Sequence, residues 1–307
     1  MALLRALVVN AGSTSLKLSL VDGDESHPVS SFDVEADVVV HRIVHGGERF
    51  RTPVVIDDDV AAELERLVEL APLHQTPALA ALRDTREALP DVPHVAVFDT
   101  AFHATLPPVA STYAVPGSLG IRRFGFHGLA VQSVSEQVGV ARLVVCHLGG
   151  GCSVTAVLDG RSVETSMGFT PLEGVPMATR SGSVDPGAVL YLARRTGVDE
   201  LARVLEEESG LTALSGFSGD VRELEADPRG DFALEAFAYR VAQAAAACVV
   251  ALGGLDVLAF SGGIGEHSAR VREAVAQRLA PLEPFEVRVV EAREDLVAAR
   301  AARALVS

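Results

Sequence analysis

Two stretches of the chain, LVVNAGSTSLKLSLVDG (Leu7 to Gly23) and LVVCHLGGGCSVTAVLDG (Leu143 to Gly160), share one pattern. Each reads as a strand, a turn of small residues, a strand of alternating polarity and an Asp-Gly turn. The two copies lie about half the chain apart, whereas solenoid repeats recur every 20 to 50 residues or so. The pattern therefore predicts a duplicated domain, and two like domains that face each other would form a cleft.

The segments around the two hairpins alternate between predicted strands and helices. A strand ending in HRIVHGG, two amphipathic helices and the strand VAVFDT follow the first hairpin. Several helices follow the second, including a long one from Phe232 to Leu252, and then the strand LDVLAF with the glycine-rich loop SGGIGEH. This alternation is typical of a mixed sheet covered by helices, so the predicted class is α/β. We predict a first domain at 1–105 plus 292–307 and a second at 106–291.

The composition argues against several classes of protein. With 307 residues, 49% of them apolar and 22% charged, the chain is large enough for two domains with a sizeable core. A net charge of −15 argues against nucleic acid or an anionic membrane as a partner. The three cysteines lack metal or redox spacing, the turn at Gly12 comes too soon for a signal peptide, and Ala244 to Leu255 is too short to span a bilayer. We expect a soluble cytoplasmic protein.

Small residues and hydroxyls at the hairpin tips suit phosphate oxygens. The turn from Asn10 to Lys17 offers backbone N–H groups, three hydroxyls and an ammonium, and Lys17 is the one lysine among 26 basic residues. The second tip, His147 followed by three glycines, lets a backbone approach a phosphate closely. SGGIGEH follows a strand, where ligands bind in open α/β sheets. Each loop alone is consistent with an ordinary turn, and the two hairpin tips together predict phosphate binding.

Charged side chains near strand ends are the second chemical signal. A guanidinium can hold a carboxylate or a phosphate with two hydrogen bonds. Histidines also cluster near strand ends, but without the spacing of a zinc site. The arginines at turn-like or strand-end positions are Arg42, Arg122, Arg123, Arg180 and Arg222.

Nine segments in chain order carry a family resemblance: LVVNAGSTSLK, HRIVHGG, LAPLH, VFDTAFH, RRFGFHG, HLGGG, TSMGFTPLEGVPMATRSG, SGDVR and SGGIGEH. They resemble the motifs of the acetate and propionate kinase family, a branch of the sugar kinase, Hsp70 and actin superfamily, from residue 7 to about 296. The resemblance implies two duplicated ribonuclease-H-like domains with a central cleft. It also implies an ATP-dependent enzyme that reversibly phosphorylates a short-chain carboxylate to an acyl phosphate by direct in-line transfer, as a homodimer through its second domain.

The resemblance assigns catalytic and metal roles to five residues beside Arg42. Arg42 and Arg180 would hold the carboxylate and the transferring phosphoryl group, and His127 with Arg180 would stabilise the transition state. Asn10 and Glu294 match the positions associated with Mg²⁺, or Mn²⁺ in its place. Asp99 matches the acidic catalytic residue. Because a short-chain acid is already ionised at neutral pH, we expect Asp99 to orient Arg42 or a metal-bound water rather than to act as a base.

The resemblance also assigns two binding surfaces. The acid would lie against Arg42 and an apolar pocket of Val44, Leu73, Phe126 and Pro171. One methylene changes discrimination in such a pocket by only about 1 to 3 kcal/mol, so the acid's chain length stays open. The residues for ATP would be Ser13, Ser15, Lys17, His147, Gly149, Gly150, Gly151, Asp220, Arg222, Gly263, Ile264, Gly265, Glu266 and His267.

Several departures from the family motifs leave alternatives open. The chain is shorter than the family pattern, Leu129 to Val131 replace a Thr-Ser-His triplet, and Gly150 and His267 replace asparagines. One alternative is a nucleotide-binding or sensor module that has lost turnover. The other is a sugar kinase or phosphatase of the superfamily, in which an alcohol or water nucleophile would give Asp99 the role of a base.

Overall fold

A computed structural model of the chain describes residues 4–12, 16–70, 72–282 and 284–307, with the backbone alone for residue 70 and for 72–74. The chain divides into two compact units. Unit 1 consists of Met1–Ala104, Phe126–Ser133 and Arg293–Ser307, and unit 2 consists of Thr105–Gly125 and Val134–Ala292. The segment Phe126–Ser133, which we had assigned to the second domain, groups with unit 1 in this division.

The described residues contain eleven strands and twelve α-helices. The strands are β1 (Ala6–Ala11), β2 (Leu16–Asp22), β3 (Glu25–Val29), β4 (Val38–Ile43), β5 (Val54–Val55), β6 (His94–Phe98), β7 (Arg142–Leu148), β8 (Cys152–Leu158), β9 (Arg161–Thr165), β10 (Val257–Ser261) and β11 (Glu286–Val289). The helices are α1 (Asp58–Arg66), α2 (Pro72–Ala88), α3 (Pro108–Ser111), α4 (Gly128–Val138), α5 (Pro186–Thr196), α6 (Val198–Glu207), α7 (Gly210–Ser215), α8 (Val221–Ala226), α9 (Asp231–Leu252), α10 (Gly262–His267), α11 (Ala269–Leu279) and α12 (Glu294–Val306).

Each unit is built on one mixed sheet, and the two sheets share the order of five strands, with β5 as an additional edge strand in unit 1. The order in unit 1 is β3-β2-β1-β4-β6-β5, and in unit 2 it is β11-β10-β7-β8-β9. In unit 1 the first three strands are antiparallel, whereas β1, β4 and β6 run parallel. In unit 2 the strands β9, β8 and β7 are antiparallel, and β7, β10 and β11 run parallel. The duplication that the two hairpin sequences predicted is present in the strand order.

The central strand β1 is buried on both faces, which is why its sequence is almost continuously apolar. Leu7 and Val9 pack on one face with residues of α1 and α2. Ala6 and Val8 pack on the other face with residues of α12. Side chains alternate between the two faces of a sheet along a strand, so Asn10, two residues after Val8, also lies on the α12 face.

The register of the parallel strands determines where the polar residues at their carboxyl ends lie relative to one another. Val9 pairs with His41 across β1 and β4, and Arg42 pairs with Val97 across β4 and β6. The carboxyl ends of these strands therefore meet at one edge of the unit 1 sheet. In unit 2 the same relation places His147 beside Ser261 at the ends of β7 and β10.

The helix α9 is the longest in the described residues. It covers the predicted range from Phe232 to Leu252, and it buries residues such as Phe237, Val241 and Ala245 in unit 2. The segment Pro228–Leu252 is long and apolar enough to cross a membrane by length and composition, but half of its most apolar window is buried inside the structure. Core helices of soluble proteins pass the same test.

Candidate functional site

Four polar side chains meet at the carboxyl edge of the unit 1 sheet, and we call them the Arg42 cluster. Asn10 is near the end of β1, Arg42 is near the end of β4, and Asp99 directly follows β6. Glu294 is the first residue of α12, the helix that packs on this face. The strand register and the position of α12 therefore bring together residues that lie far apart in the sequence.

Arg42 is the centre of the cluster. Its Nε donates to Asp99 Oδ1 at 3.0 Å and its Nη2 donates to Asp99 Oδ2 at 2.8 Å. Its Nη1 lies 2.8 Å from Glu294 Oε2 and 3.4 Å from Asn10 Oδ1. The two bonds to Asp99 form a bidentate pair, which fixes the plane of the guanidinium. Asp99 therefore holds the guanidinium of Arg42 in one orientation, and its role in the reaction stays a prediction.

The charges of the cluster do not cancel. Burial by itself lowers the pKa of Arg42, but the charges of Asp99 and Glu294 and the hydrogen bonds from Asp99 raise that pKa above its ordinary value. The guanidinium is therefore a permanent cation. It faces two carboxylates, and the side chain of Asp99 is only 2% exposed. The cluster therefore has two acidic side chains and one basic one, which favours a further cation beside it.

The predicted metal residues, Asn10 and Glu294, offer an amide oxygen and a carboxylate. These are the hard oxygen donors that Mg²⁺ takes, usually one or two from the protein with water and phosphate oxygens completing the shell. In the described part of the chain no group of three or more His, Cys, Asp or Glu residues forms a metal site by itself. The donors present therefore fit a metal that is bound together with phosphates, and they do not fit a metal held by protein alone.

His127 has a left-handed backbone, with φ of 61°, which is unusual for a residue with a side chain. The backbone is anchored on both sides. The N–H of Gly128 donates to the Asp99 carbonyl at 2.9 Å, and a Cβ atom at Gly128 would lie 2.2 Å from that oxygen. The Phe126 carbonyl accepts from His103 Nε2 at 2.8 Å. The turn that carries His127 is therefore attached to the residue that orients Arg42.

His103 is one of the histidines near strand ends, and the sequence assigned it no role in the site. Burial lowers its pKa to about 4, although the bond to Phe126 and the charge of Asp99 act in the opposite direction. Its ring is therefore neutral at physiological pH, with the proton on Nε2 to donate to the carbonyl. The only signal in the sequence was its place in VFDTAFH, and that pattern does not show what the ring contacts.

The predicted apolar pocket is partly described. Val44 is half-buried directly after β4, and the loop is held there by Gln75, whose Nε2 donates to the His45 carbonyl at 3.1 Å. The Phe126 ring is buried and meets the His45 ring edge-on, with centroids 5.5 Å apart. The side chain of Leu73 lies outside the described residues, and Pro171 belongs to unit 2. The pocket stays a prediction.

Unit 2 contains a cavity of about 580 Å³. This is within the range of small-molecule sites, about 300 to 1,000 Å³. Half of the residues that line it were predicted to bind a nucleotide: Gly149, Gly150, Asp220, Arg222, Gly263, Ile264 and His267. The other predicted residues of unit 2 lie close by in the chain but do not line the cavity: His147 on β7, Gly151 before β8, and Gly265 and Glu266 on α10.

The two glycine-rich loops of unit 2 pack closely. Gly262 has φ of 76°, and a Cβ atom there would lie 2.7 Å from the carbonyl oxygen of Leu148. Its N–H donates to Glu266 Oε1 at 2.9 Å, which ties the start of α10 to its own end. His147 Nδ1 lies 2.9 Å from Ser261 Oγ. Glu266 and His147 therefore hold the loops in place, which explains why they do not line the cavity.

A second pair of charges borders the cavity. Asp220 caps α8 by accepting from the N–H of Arg222 at 2.9 Å, and its Oδ2 lies 2.5 Å from Arg222 Nη2. The side-chain hydrogen bond from Arg222 is the main reason why the pKa of Asp220 is below its ordinary value. The side chain of Arg222 is 87% exposed, so this cation is available to a ligand from solvent.

Arg180 belongs to unit 2 and follows the loop from Phe169 to Thr179. It is half-buried, and its Nη1 lies 3.8 Å from Met177 Sδ. Burial lowers the pKa of Arg180, against the opposite effect of Glu206 and Cys152. Arginine starts so far above neutral pH that the side chain stays charged.

The remaining predicted residues of the first hairpin, and the residues that depart from the family motif, lie as follows. Ser13 and Ser15 lie outside the described residues. Lys17 is exposed on β2, where its backbone pairs with Asn10. Leu129 and Val131, which depart from the family motif, are buried in unit 1, and Leu129 packs with Val8 and Val297. The departure therefore replaces polar groups by part of an apolar core.

Comparison with known sequences decides the family. The sequence model of the acetokinase family matches residues 25–307. The chain belongs to the acetokinase family. Its similarity to an acetate kinase of Oceanobacillus iheyensis is 43% identity over 281 residues, which are 86% of this chain and 70% of that one. Its similarity to an acetate kinase of Deinococcus deserti is 50% over 264 residues, 80% of this chain and 66% of that one.

A solved structure agrees with the sequence matches. A propionate kinase from Francisella tularensis has a fold similar to this acetokinase, with a TM-score of 0.92 at 32% identity over 99% of this chain and 100% of that chain. The predicted family and the predicted α/β class with duplicated sheets are confirmed. The chain spans about two thirds of the length of the two curated relatives above, so residues that they possess elsewhere have no counterpart in the alignments.

Proposed function

We propose that this acetokinase transfers the γ-phosphoryl group of ATP to the carboxylate of a short-chain acid such as acetate or propionate, and that the reaction is reversible. Membership of the family makes the chain a carboxylate phosphotransferase, and nothing in the comparisons favours the sensor or sugar kinase alternatives. The Arg42 cluster carries the proposal, because it holds a permanent guanidinium in one plane at the end of a parallel strand.

Arg42 binds the carboxylate of the acid in this proposal. Two of its five N–H groups are occupied by Asp99, and the contact to Asn10 at 3.4 Å is long. A substrate carboxylate can therefore replace Asn10, and Glu294 in turn, at Nη1 while Asp99 keeps the guanidinium in place. The acid arrives ionised at neutral pH, so the reaction needs no base, and Asp99 acts as a positioning residue.

The nucleotide binds to unit 2 in this proposal. The glycines of the two loops let phosphates approach backbone N–H groups, and Arg222 lies at the border of the cavity for the rest of the nucleotide. The family implies ATP as substrate together with a divalent metal, and we propose Mg²⁺. Asn10 and Glu294 would hold it, and it would neutralise charge on the phosphate oxygens. His127 and Arg180 stabilise the charge of the phosphoryl group during transfer.

The acid's alkyl group would contact Val44, Leu73, Phe126 and Pro171. Of these, Val44 and Phe126 adjoin the Arg42 cluster along the chain, since Phe126 precedes His127 and Val44 follows β4. We also keep the predicted domains as a proposal, with 1–105 plus 292–307 on the acid side and 106–291 on the nucleotide side, except that Phe126–Ser133 groups with unit 1.

We propose that the protein is a homodimer through unit 2. No residue of α5 is buried, and large apolar side chains there are exposed, including Leu190 and Tyr191 at 58% each. An exposed apolar helix face of this kind suits a protein partner, and a second copy is the partner that the family resemblance implies. Light scattering of the wild type and of Leu190→Glu tests this; a wild-type monomer would contradict it.

A cytoplasmic location, with neither nucleic acid nor membrane as partner, completes the proposal. The three cysteines are free and buried, and burial raises the pKa of each thiol, so they are inert thiols of the kind that reducing compartments contain. The net charge of −15 repels anionic polymers and lipids.

One assay tests the function directly. The protein is incubated with ATP, Mg²⁺, hydroxylamine and, separately, acetate, propionate, butyrate and longer acids, and acyl hydroxamate is measured. We expect hydroxamate from at least one short acid. ADP release without hydroxamate, or phosphorylation of a sugar above that of every acid, would contradict the proposal.

A further inference from the structure

Lys17 is the single primary amine among the side chains of this protein, since the other 25 basic residues are arginines. It is exposed on β2, next to the turn of the first hairpin. Its side chain forms no hydrogen bond or ion pair with any of the residues that the structure describes. Its chemistry therefore differs from that of every other basic side chain in the chain.

The strand register places Lys17 on the face of the Arg42 cluster. Lys17 is the direct partner of Asn10 in the antiparallel pair of β1 and β2. Side chains of directly opposed residues leave the sheet on the same face, with Cβ atoms about 4.5 to 5.5 Å apart. Asn10 Oδ1 lies 3.4 Å from Arg42 Nη1. The flexible four-carbon stem of Lys17 therefore starts beside the site that we assign to the acid.

Core packing gives the same orientation independently. Val8 is two residues from Asn10 on β1, and Val21 is four residues from Lys17 on β2, so each pair shares a face of the sheet. Val8 and Val21 both pack on the α12 face. Leu18, which points the opposite way, packs on the face of α1 and α2. Lys17 thus lies on the same face of the sheet as Arg42, where α12 begins.

The proposed product is an acyl phosphate, whose carbonyl carbon reacts with amines. A guanidinium stays protonated and does not compete as a nucleophile. We propose that Lys17 is a modification site, acylated on its ε-amine by the acyl phosphate held at the Arg42 cluster, and this inference rests on the proposed function. The neutral amine attacks the carbonyl carbon, a nitrogen–carbon bond forms, the carbon–oxygen bond to phosphorus breaks, inorganic phosphate leaves and the amine proton passes to solvent.

Acylation has a consequence for the reaction. It converts an ammonium into a neutral amide and so removes a positive charge from a site that binds phosphate. Accumulated product would then slow the enzyme that makes it. The effect would act through one residue, because the arginines elsewhere in the chain do not react.

The test uses acetyl phosphate as the acyl donor and peptide mass spectrometry as the readout. The matched control is Arg83→Lys, which places a second lysine at a 62% exposed position of α2, on the opposite face of the same sheet. In the folded variant we expect acetylation of Lys17 to be about tenfold faster or more than that of the introduced lysine, because bound acetyl phosphate is held next to it. In urea, which unfolds the protein and so removes the binding site, Lys17 and the introduced lysine should be acetylated at equal rates.

A second variant separates proximity from simple exposure. Arg42→Ala removes the anion site but keeps Lys17, so acetylation at Lys17 should fall to the rate of the introduced lysine. Equal rates at the two lysines of the folded Arg83→Lys protein would overturn the proposal. If the protein forms hydroxamate but Lys17 stays unmodified, the modification is rejected and the proposed function stands. If the protein neither forms hydroxamate nor acetylates Lys17, the modification and the proposed function are both rejected.

Discussion

Units 1 and 2 share the order of five strands, yet their candidate sites are of opposite kinds. At the ends of β1, β4 and β6, unit 1 has side chains whose charges already pair with each other, with Arg42 between Asp99 and Glu294. At the ends of β7 and β10, unit 2 has glycines and an open cavity of about 580 Å³. A shared scaffold thus fixes where ligands bind, and the residue types after each strand decide what binds there.

The largest effect that separates the two sites should come from Arg42→Ala. We expect kcat/KM for the acid to fall by a factor of about 100 to 1,000 or more, as for loss of a donor to a developing charge, while ATP affinity changes little. Hydroxamate kinetics and calorimetric ATP titration measure the two effects. Arg83→Ala, at an exposed arginine, is the control and should change neither. A parallel loss of ATP affinity would show that Arg42 serves the structure of both sites.

Arg42→Ala should also destabilise unit 1. It leaves the carboxylate of Asp99, 2% exposed, without its partner, and removal of one member of a buried pair costs about 3 to 5 kcal/mol. Urea unfolding measures the loss. The double variant with Asp99→Asn should recover part of the stability, because no uncompensated charge then remains, but it should not recover turnover.

Gly128→Ala tests the turn that attaches His127 to Asp99. A Cβ atom would lie 2.2 Å from the Asp99 carbonyl oxygen, so the turn has to move. We expect a loss of stability of about 1 to 3 kcal/mol and a lower kcat, with unchanged ATP binding. Gly117→Ala is a control for glycine replacement without a clash or a left-handed backbone, since nothing lies within 4 Å of its Cβ position and its φ is not positive. Full activity of Gly128→Ala would mean that the turn does not position His127.

Unit 1 should also be the more acid-sensitive unit, because it contains a buried pair of histidines. His41 Nε2 lies 3.0 Å from His94 Nδ1, and burial, with a contribution from His94, lowers the pKa of His41 to about 3. An unfolded histidine titrates near 6.5, so the unfolded chain binds more protons below that pH. The contribution of His41 to stability should be fully present above about pH 6.5 and should fall by up to about 1.4 kcal/mol per pH unit below it, toward pH 3.

Urea unfolding at pH 7 and pH 5 checks this prediction. The variant His41→Gln removes the buried titrating group and should show a smaller difference between the two pH values, whatever its stability at pH 7. The exposed His27, at 63%, supplies the control variant His27→Gln, which should keep the wild-type difference. An equal pH dependence in all three proteins would contradict the account.

The smallest effect should come from Arg222→Ala in unit 2. The side chain is 87% exposed and pairs with Asp220 in solvent, where such pairs contribute little. We expect ATP affinity to fall less than about tenfold, with the KM for the acid unchanged. Calorimetric titration gives the affinity. A loss as large as that of Arg42→Ala would show that unit 2 also depends on one central cation.

Much of the fold could be predicted from the sequence, because the two hairpins are similar in amino-acid sequence as well as in structure. Leu7 to Gly23 and Leu143 to Gly160 predicted the duplication that the strand orders now show. Ordered motifs also selected Arg42 and Asp99, and the structure pairs them. His103 was missed because a buried histidine in a sequence has no visible partner, and its role depends on the Phe126 carbonyl.

The sequence by itself determined the fold class, the family and the residues that follow each strand. Apolar alternation, glycine turns and short motifs involve residues that are close together in the chain, so they can be recognised without the structure. Only the tertiary structure decided which of these residues meet. It joined Glu294 to Arg42 across 252 positions of the chain, grouped Phe126–Ser133 with unit 1 and set Lys17 opposite Asn10. Such contacts follow from strand order and helix packing, which depend on the whole chain and not on any single segment.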